Sequence, residues 1–215
     1  MISFRNVTKK FGSHLVLDRL SFEIKPNEFV VLKGVSGAGK STVVDLLIGA
    51  EKPDQGTIEV DGMLVNEMDD KTLQLFRRKI GVVFQDYKLL LKKTVFENVA
   101  FAMEVCGESN EVINKRVPEV LEKVGLLQFQ DKFPEQLSGG EMQRLAIARA
   151  LVHSPRLIIA DEPSGNLDDE NVRGIMAILK KLHEDGATIL MTTHDPLVQK
   201  LAGGRSMTLE GGKII

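Results

Sequence analysis

The sequence predicts an α/β protein: a mostly parallel core sheet, an N-terminal antiparallel β subdomain and an inserted α-helical subdomain. Three observations predict it. From Phe29 onward, short apolar runs of strand type alternate with helical patterns, as βα units require. Upstream, Ile2 to Phe11 and Leu15 to Ile24 alternate apolar with polar residues, the mark of half-buried antiparallel strands. Between Gln85 and Leu137 the alternation stops and helical periodicity takes over. A length of 215 residues with 43% hydrophobic content suffices for one sizeable core. The chain therefore reads as one domain over 1–215, with 1–84 and 141–215 as the core plus antiparallel subdomain and 85–140 as the helical subdomain.

Taken in order, the first two strands meet at a Gly12-Ser13 turn, and a third segment, Gly56 to Val60, ends at Asp61-Gly62, a dipeptide suited to a tight hairpin. Phe29 to Leu32 is apolar enough for a buried parallel strand. Directly after it comes Gly34-Val35-Ser36-Gly37-Ala38-Gly39-Lys40-Ser41, then Thr42 to Ile48 with Val43, Leu46 and Leu47 on one helical side. The loop thus ends at a helix N-terminus, where unpaired backbone N–H groups and the helix dipole favour an anion. The glycines let the backbone curl round a polyphosphate, Lys40 reaches its outer phosphates, and the Ser41 hydroxyl suits a magnesium ion. A glycine-rich turn that binds nothing would need neither the strand, the helix nor the Lys-Ser pair.

Farther along, Ile80 to Phe84 is a strand that ends in Gln85, whose amide can accept from a water and coordinate a metal. Helical patterns near Val95 to Val105 and Glu111 to Val124 follow, and Pro134 precedes Leu137-Ser138-Gly139-Gly140-Glu141. Those residues open another helix, with Leu145, Ala148 and Leu151 on its apolar stripe, so a second anion-seeking N-terminus is expected. Leu157 to Ala160 forms a buried strand ending in Asp161-Glu162, and Thr188 to Thr193 another that delivers His194. Ligands of open α/β sheets sit at the carboxyl ends of strands. Asp161 is therefore expected to hold the metal, Glu162 to polarise an attacking water, and His194 to contact the terminal phosphate. Two carboxylates capping a strand as solvated charges are the bland alternative, and the phosphate loop argues against it.

With 28 basic and 30 acidic residues, a formal charge of −2 gives no bulk attraction to nucleic acid, which is not expected as a partner. Cys106 is the sole cysteine, so an internal disulfide is excluded. The Met1 to Arg5 start lacks a basic and an apolar leader region, and no run nears the roughly 18 apolar residues of a membrane span. A cytoplasmic location is expected, with any membrane function supplied by another polypeptide.

These motifs, in this order and over essentially the whole length, resemble the nucleotide-binding subunits of ABC transporters. The resemblance implies a P-loop NTPase with a RecA-like core that hydrolyses ATP with Mg2+. Phe11 is then the ring that stacks on adenine, Gly34 to Thr42 the nucleotide cradle, Gln85 the Q-loop glutamine, and Asp161, Glu162 and His194 the metal ligand, catalytic glutamate and switch histidine. Ser138, Gly139, Gly140 and Glu141 form the signature, which closes over nucleotide held by a second copy, making a homodimer on ATP. Asn166, Leu167 and Asp168 belong to the D-loop at that interface. Phe11 for tyrosine, Ser164 for threonine and Asn27 for glycine are mild departures, and Asn tolerates a left-handed backbone.

Phe84 to Leu90 and Thr94 to Ala100 narrow the likeness to the cell-division ATPases of the family, which implies an integral membrane partner resembling FtsX, met at the inner face of the plasma membrane. Gly165 to Asp168 is shared with lipoprotein-release and macrolide-export ATPases, the alternative reading. Repair ATPases with similar heads carry long coiled coils, and no sustained heptads occur here. In the family a groove after the Q-loop receives a short helix of the membrane partner, which points to Tyr87, Leu89, Leu90 and Leu91. Equally open at this level is that the leucines are core and only Tyr87 is exposed.

Overall fold

The computed structural model describes residues 1–165 and 167–215. Strands β1 (Ile2–Phe11) and β2 (His14–Ile24) pair antiparallel through the Gly12-Ser13 turn. Next come β3 (Phe29–Lys33), α1 (Lys40–Leu47), β4 (Gln55–Val60) and the short β5 (Met63–Leu64). Asp61 at φ 49° and Gly62 at φ 79° make the β4–β5 connection, both residues left-handed as a type I′ hairpin demands. These strands close a four-stranded sheet in the order β2-β1-β4-β5. Asn27, at φ 58°, takes the left-handed backbone its residue type allows.

The chain continues through α2 (Asp70–Arg77), β6 (Ile80–Val83), α3 (Val95–Glu104), α4 (Asn110–Lys123), α5 (Gly139–Leu151), β7 (Leu157–Asp161), α6 (Asp169–Glu184), β8 (Thr188–Thr193), α7 (Pro196–Ala202), β9 (Arg205–Glu210) and β10 (Lys213–Ile214). A second sheet runs β10-β9-β3-β8-β7-β6, parallel from β9 to β6, with β10 the antiparallel edge. The two-residue period of its strands divides two cores. Val30, Leu32, Leu157, Ile159 and Leu190 face the antiparallel sheet and α1, whereas Val31, Ile158, Ala160, Ile189 and Met191 face the helices. On that helical side α3 packs on both α4 and α5.

The parallel registers Lys33↔Thr193 and Asp161↔Thr192 bring the ends of β3, β7 and β8 level. Hence the phosphate loop, Asp161-Glu162 and His194 leave the sheet at a single edge.

Candidate active site

The loop after β3 is held open by its glycines. Gly37 and Gly39 sit at φ 80° and 99°, and a Cβ on Gly39 would stand 2.9 Å from Val16 Cγ1 of β2. A Cβ on Gly34 would stand 2.8 Å from the carbonyl oxygen of Leu209 in β9. Packed from both sides, the loop presents Val35, Ser36 and Gly37 to solvent, Val35 at 75% exposure. Ala38 is half-buried behind them, Ser41 is exposed on the first turn of α1, and Thr42 beside it is half-buried. Gly39 caps α1 without a side-chain bond, so the N-terminal amides keep their capacity for an anion. Phe11, at the end of β1, is half exposed, and Lys9 Nζ lies 4.9 Å from its ring centroid while pairing with Glu51 at 2.7 Å.

Lys40 folds back. Its Nζ donates to the carbonyls of Gly34 (2.8 Å) and Val35 (3.1 Å) and stands 3.1 Å from Glu162 Oε1. Glu162 Oε2 accepts at 2.9 Å from His194 Nδ1, which therefore carries the proton. Lys40 and Glu162 are almost fully enclosed, and the His194 side chain is 58% exposed. Burial pushes the Glu162 carboxyl up, but the hydrogen bonds and charges of His194 and Lys40 together outweigh it and hold it below the usual range. Simple strand alternation would point Asp161 and Glu162 to opposite faces. Instead β7 stops at Asp161 and Glu162 turns left-handed at φ 47°, so the two carboxylates diverge through a backbone kink. Thr192 Oγ1 donates to Asp161 Oδ1 and accepts from the Glu162 N–H at 3.0 Å. Asp45 on α1 lies close enough to feel Asp161: burial first, then the charges of Asp161 and Glu51, push its carboxyl up.

Ser41, Gln85 and Asp161 offer a hydroxyl, an amide oxygen and one carboxylate. All are hard oxygen donors, and one protein carboxylate is the usual share for magnesium that rides on phosphate and water. The donor set fits that ion.

Gln85 is exposed and lies against the D-loop: a Cβ on Gly165 would stand 3.5 Å from its Cγ. Leu167 and the Tyr87 hydroxyl flank Gly139, at 3.4 and 3.6 Å from where a Cβ would be. Gln85 thus meets Gly165, and Tyr87 and Leu167 meet Gly139, within one subunit; Asn166 lies outside the described residues. Ser138 caps α5 in a reciprocal box, its N–H and Oγ donating to Glu141 Oε2 at 2.7 and 2.8 Å while the Glu141 N–H returns to Oγ at 3.3 Å. Gly140 is buried against Asn171 of α6, whose amide nitrogen donates to both Asp168 oxygens at 3.1 Å.

A groove of about 500 Å³ runs between α2, β6, α3 and α5, lined by Phe84, Leu90, Phe101, Val105, Cys106 and His153 among others. Of the four apolar residues after Gln85, only Leu90 lines it. Tyr87 and Leu89 pack against the helical-side core, and Leu91 projects at 67% exposure. The division into core leucines and an exposed Tyr87 therefore does not describe this segment, because Tyr87 and Lys88 take left-handed backbones, φ 59° and 49°, that rotate each side chain separately. Arg149 of α5 holds that kink, donating to the carbonyls of Tyr87 (2.7 Å) and Lys88.

Arg149, Thr192 and Asn171 escaped the sequence reading. Arg149 and Thr192 each bond to backbone 30 to 62 positions away, and Asn171 packs against Gly140 on another helix, contacts beyond any local motif.

A loop of backbone donors, hard oxygen donors and a carboxylate–histidine pair at one sheet edge define a nucleotide-hydrolysing cassette of the P-loop class. The chain belongs to the ABC transporter family, whose model matches residues 17–165. It is 46% identical to the cell division ATP-binding protein FtsE of Streptococcus pneumoniae serotype 2, covering all of this chain and 94% of that protein. Against FtsE of Mycobacterium tuberculosis the identity is 45%, with all of this chain and 94% of that protein covered; against Escherichia coli FtsE it is 41%, with 97% of that protein covered. Among solved structures, the ATP-binding cassette MJ0796 in a dimeric post-hydrolysis state with ADP and Pi superposes with a TM-score of 0.90 at 39% identity, covering all of this chain and 96% of that one. The chain is an ABC-type ATPase.

Proposed function

We propose that this ATPase is the cytoplasmic ATP-binding subunit of a membrane complex that acts in cell division, closing as a homodimer over ATP and passing that closure to an integral membrane partner resembling FtsX. The observation that carries the reading is the Lys40–Glu162–His194 chain beside an exposed phosphate loop. Full-length identity of 41 to 46% to division proteins favours this setting over lipoprotein release or macrolide export.

Lys40 leaves the loop carbonyls and Glu162 for the outer phosphates, and the α1 amides with Ser36 to Thr42 take the rest of the polyphosphate. Phe11 covers the base. Ser41, Asp161 and Gln85 are the residues that would hold magnesium, which would supply positive charge beside the outer phosphates. Released from Lys40, the Glu162 carboxylate accepts the proton of the attacking water, and His194 orients that carboxylate and the terminal phosphate. Ser138, Gly139 and Gly140 of a second copy bring the α5 N-terminus to the phosphate from the other side, with Glu141 holding Ser138 and with Leu167 and Asp168 at the joint. Residues 85–140 move as a unit that forms one wall of the groove, through Lys88, Leu90, Phe101 and Val105, against the wall formed by α2, β6 and α5. No helix among the described residues is long and apolar enough to cross a membrane, so the partner supplies the spanning part.

Crosslinked pull-down from membranes tests the setting. Recovery of a division-type membrane protein supports it, and recovery of a solute or lipoprotein permease alone refutes it.

A further inference from the structure

The Thr192 side chain sits where no exposed surface, core contact or helix needs a hydroxyl. It is fully buried, opposite Asp161 in the β7–β8 register. Its neighbour Thr193 faces the other side of the sheet and uses its own hydroxyl to accept the Asp195 N–H at 3.0 Å, a local turn contact. Thr192 reaches instead across strands. Its one proton goes to Asp161 Oδ1, and its lone pair takes the Glu162 N–H at 3.0 Å, a group that also approaches the Thr192 carbonyl at 3.2 Å.

Two consequences follow from that geometry. A carboxylate with one oxygen tied down cannot spin about its Cβ–Cγ bond, so the other oxygen has a set direction. A glutamate at φ 47° adopts a backbone that L side chains disfavour, and it persists where its amide is satisfied in that pose.

We propose that Thr192 is a positioning residue of the hydrolytic edge, one buried hydroxyl that aims the Asp161 carboxylate toward the metal and keeps Glu162 in its left-handed turn. It touches neither substrate nor metal. The inference rests on the roles given above to Asp161 and Glu162.

The test compares the full chain with Thr192→Val, which keeps shape and loses the hydroxyl, and Thr192→Ser, which restores it; Thr192→Ala is read in the same way should the valine variant not fold. Three quantities are measured: affinity for a fluorescent ATP analogue in EDTA, Mn2+ affinity in the presence of a non-hydrolysable ATP analogue by electron paramagnetic resonance, and kcat. Nucleotide affinity in EDTA stays unchanged in all variants and certifies the fold. Loss of the hydroxyl weakens Mn2+ binding and lowers kcat by about 10- to 100-fold, the usual effect of losing a group that orients a metal ligand, and serine recovers both. Wild-type Mn2+ affinity and kcat in the valine or alanine variant, or a serine variant as impaired as they are, overturns the proposal. Asp161→Asn serves as a separate control: if it keeps full Mn2+ affinity, the assignment of Asp161 fails, whatever Thr192 does.

Discussion

Lys40 Nζ stands 3.1 Å from Glu162 Oε1, so the lysine proposed to reach for phosphate and the carboxylate proposed to activate water neutralise one another inside the protein. On the proposed mechanism neither group is free for its reaction until nucleotide draws the lysine away. Replacing Glu162 by Gln removes the charge that holds Lys40 and the base that takes the water's proton. Such a variant keeps ATP and loses hydrolysis by about 10²- to 10⁴-fold, the range for a lost general base. It accumulates as an ATP-bound dimer in gel filtration; a monomer at saturating ATP would count against the shared site.

Complementation tests the sharing directly. Lys40→Ala disables a cradle, and Ser138→Arg places bulk and charge on the signature, at the end of α5 remote in sequence from that cradle. Subunits carrying one change each are inactive alone. Mixed, a heterodimer retains one unaltered cradle facing one unaltered signature, so ATPase activity returns on mixing. Silence in the mixture, with both proteins folded, contradicts a site built from two copies.

The signature cap also has a pH signature. The Ser138 N–H, outweighing the modest effect of burial, holds the Glu141 carboxyl below its usual value. A depressed carboxyl contributes stability that is complete above its unfolded pKa, near 4.3, and vanishes as pH falls through the lower folded value. Glu141→Gln keeps an acceptor without the charge. Its melting temperature therefore lies below wild type at neutral pH, and the gap narrows on acidification beneath the ordinary carboxylate range. Ser138→Ala removes the cap oxygen and costs about 0.5–2 kcal/mol.

What could be read from the sequence and what could not divides along contact range. Phe29 to Leu32 declares a buried strand because every residue is apolar, and the glycine spacing of the loop declares its shape because φ of 80° and 99° at Gly37 and Gly39 favours residues without a Cβ. Asp61-Gly62 likewise announces its hairpin. The left-handed turn of Glu162 is another matter, since nothing near it in the chain requires it and its support comes from Thr192 on a neighbouring strand. The direction of Leu90 depends on Arg149 gripping the preceding carbonyls from α5, and strand β9, which completes the sheet beside β3, has the mixed polarity of an edge element. Local pattern names the parts of the site; contacts between distant segments aim them.

Gly140 shows such a distant contact in a form that can be tested. In an open helix Gly→Ala is favourable by about 1 kcal/mol, yet a Cβ here would meet Asn171 Oδ1 at 1.9 Å. Gly140→Ala thus drives Asn171 off and breaks its two bonds to Asp168, loosening the D-loop. Asn171→Ala breaks the same link by itself. The double variant is consequently no worse in ATPase rate or melting temperature than the worse single, a non-additive pair; additive losses would show that Gly140 acts through something other than Asn171.

Asn98, fully buried in α3, fixes the backbone of Leu90 by accepting its N–H at 2.8 Å and donating to its carbonyl at 3.0 Å, so Leu90 cannot retreat into the core. Val105, 55% exposed, lines the same groove as Leu90, and so does Phe101. A groove whose apolar members Leu90, Phe101 and Val105 are flanked by Arg77, Arg78, Lys88 and Arg149 suits a short helix that turns an apolar face to it and carries acidic residues beside that face. Val105→Asp places a charge where the free protein leaves the side chain in water, so its melting temperature stays within about 2 °C of wild type, as surface changes near ±0.5 kcal/mol allow. The same charge is desolvated when a helix docks. Basal ATPase therefore persists while recovery of the membrane partner in crosslinked pull-down falls at least tenfold, and undiminished recovery would place the docking surface elsewhere.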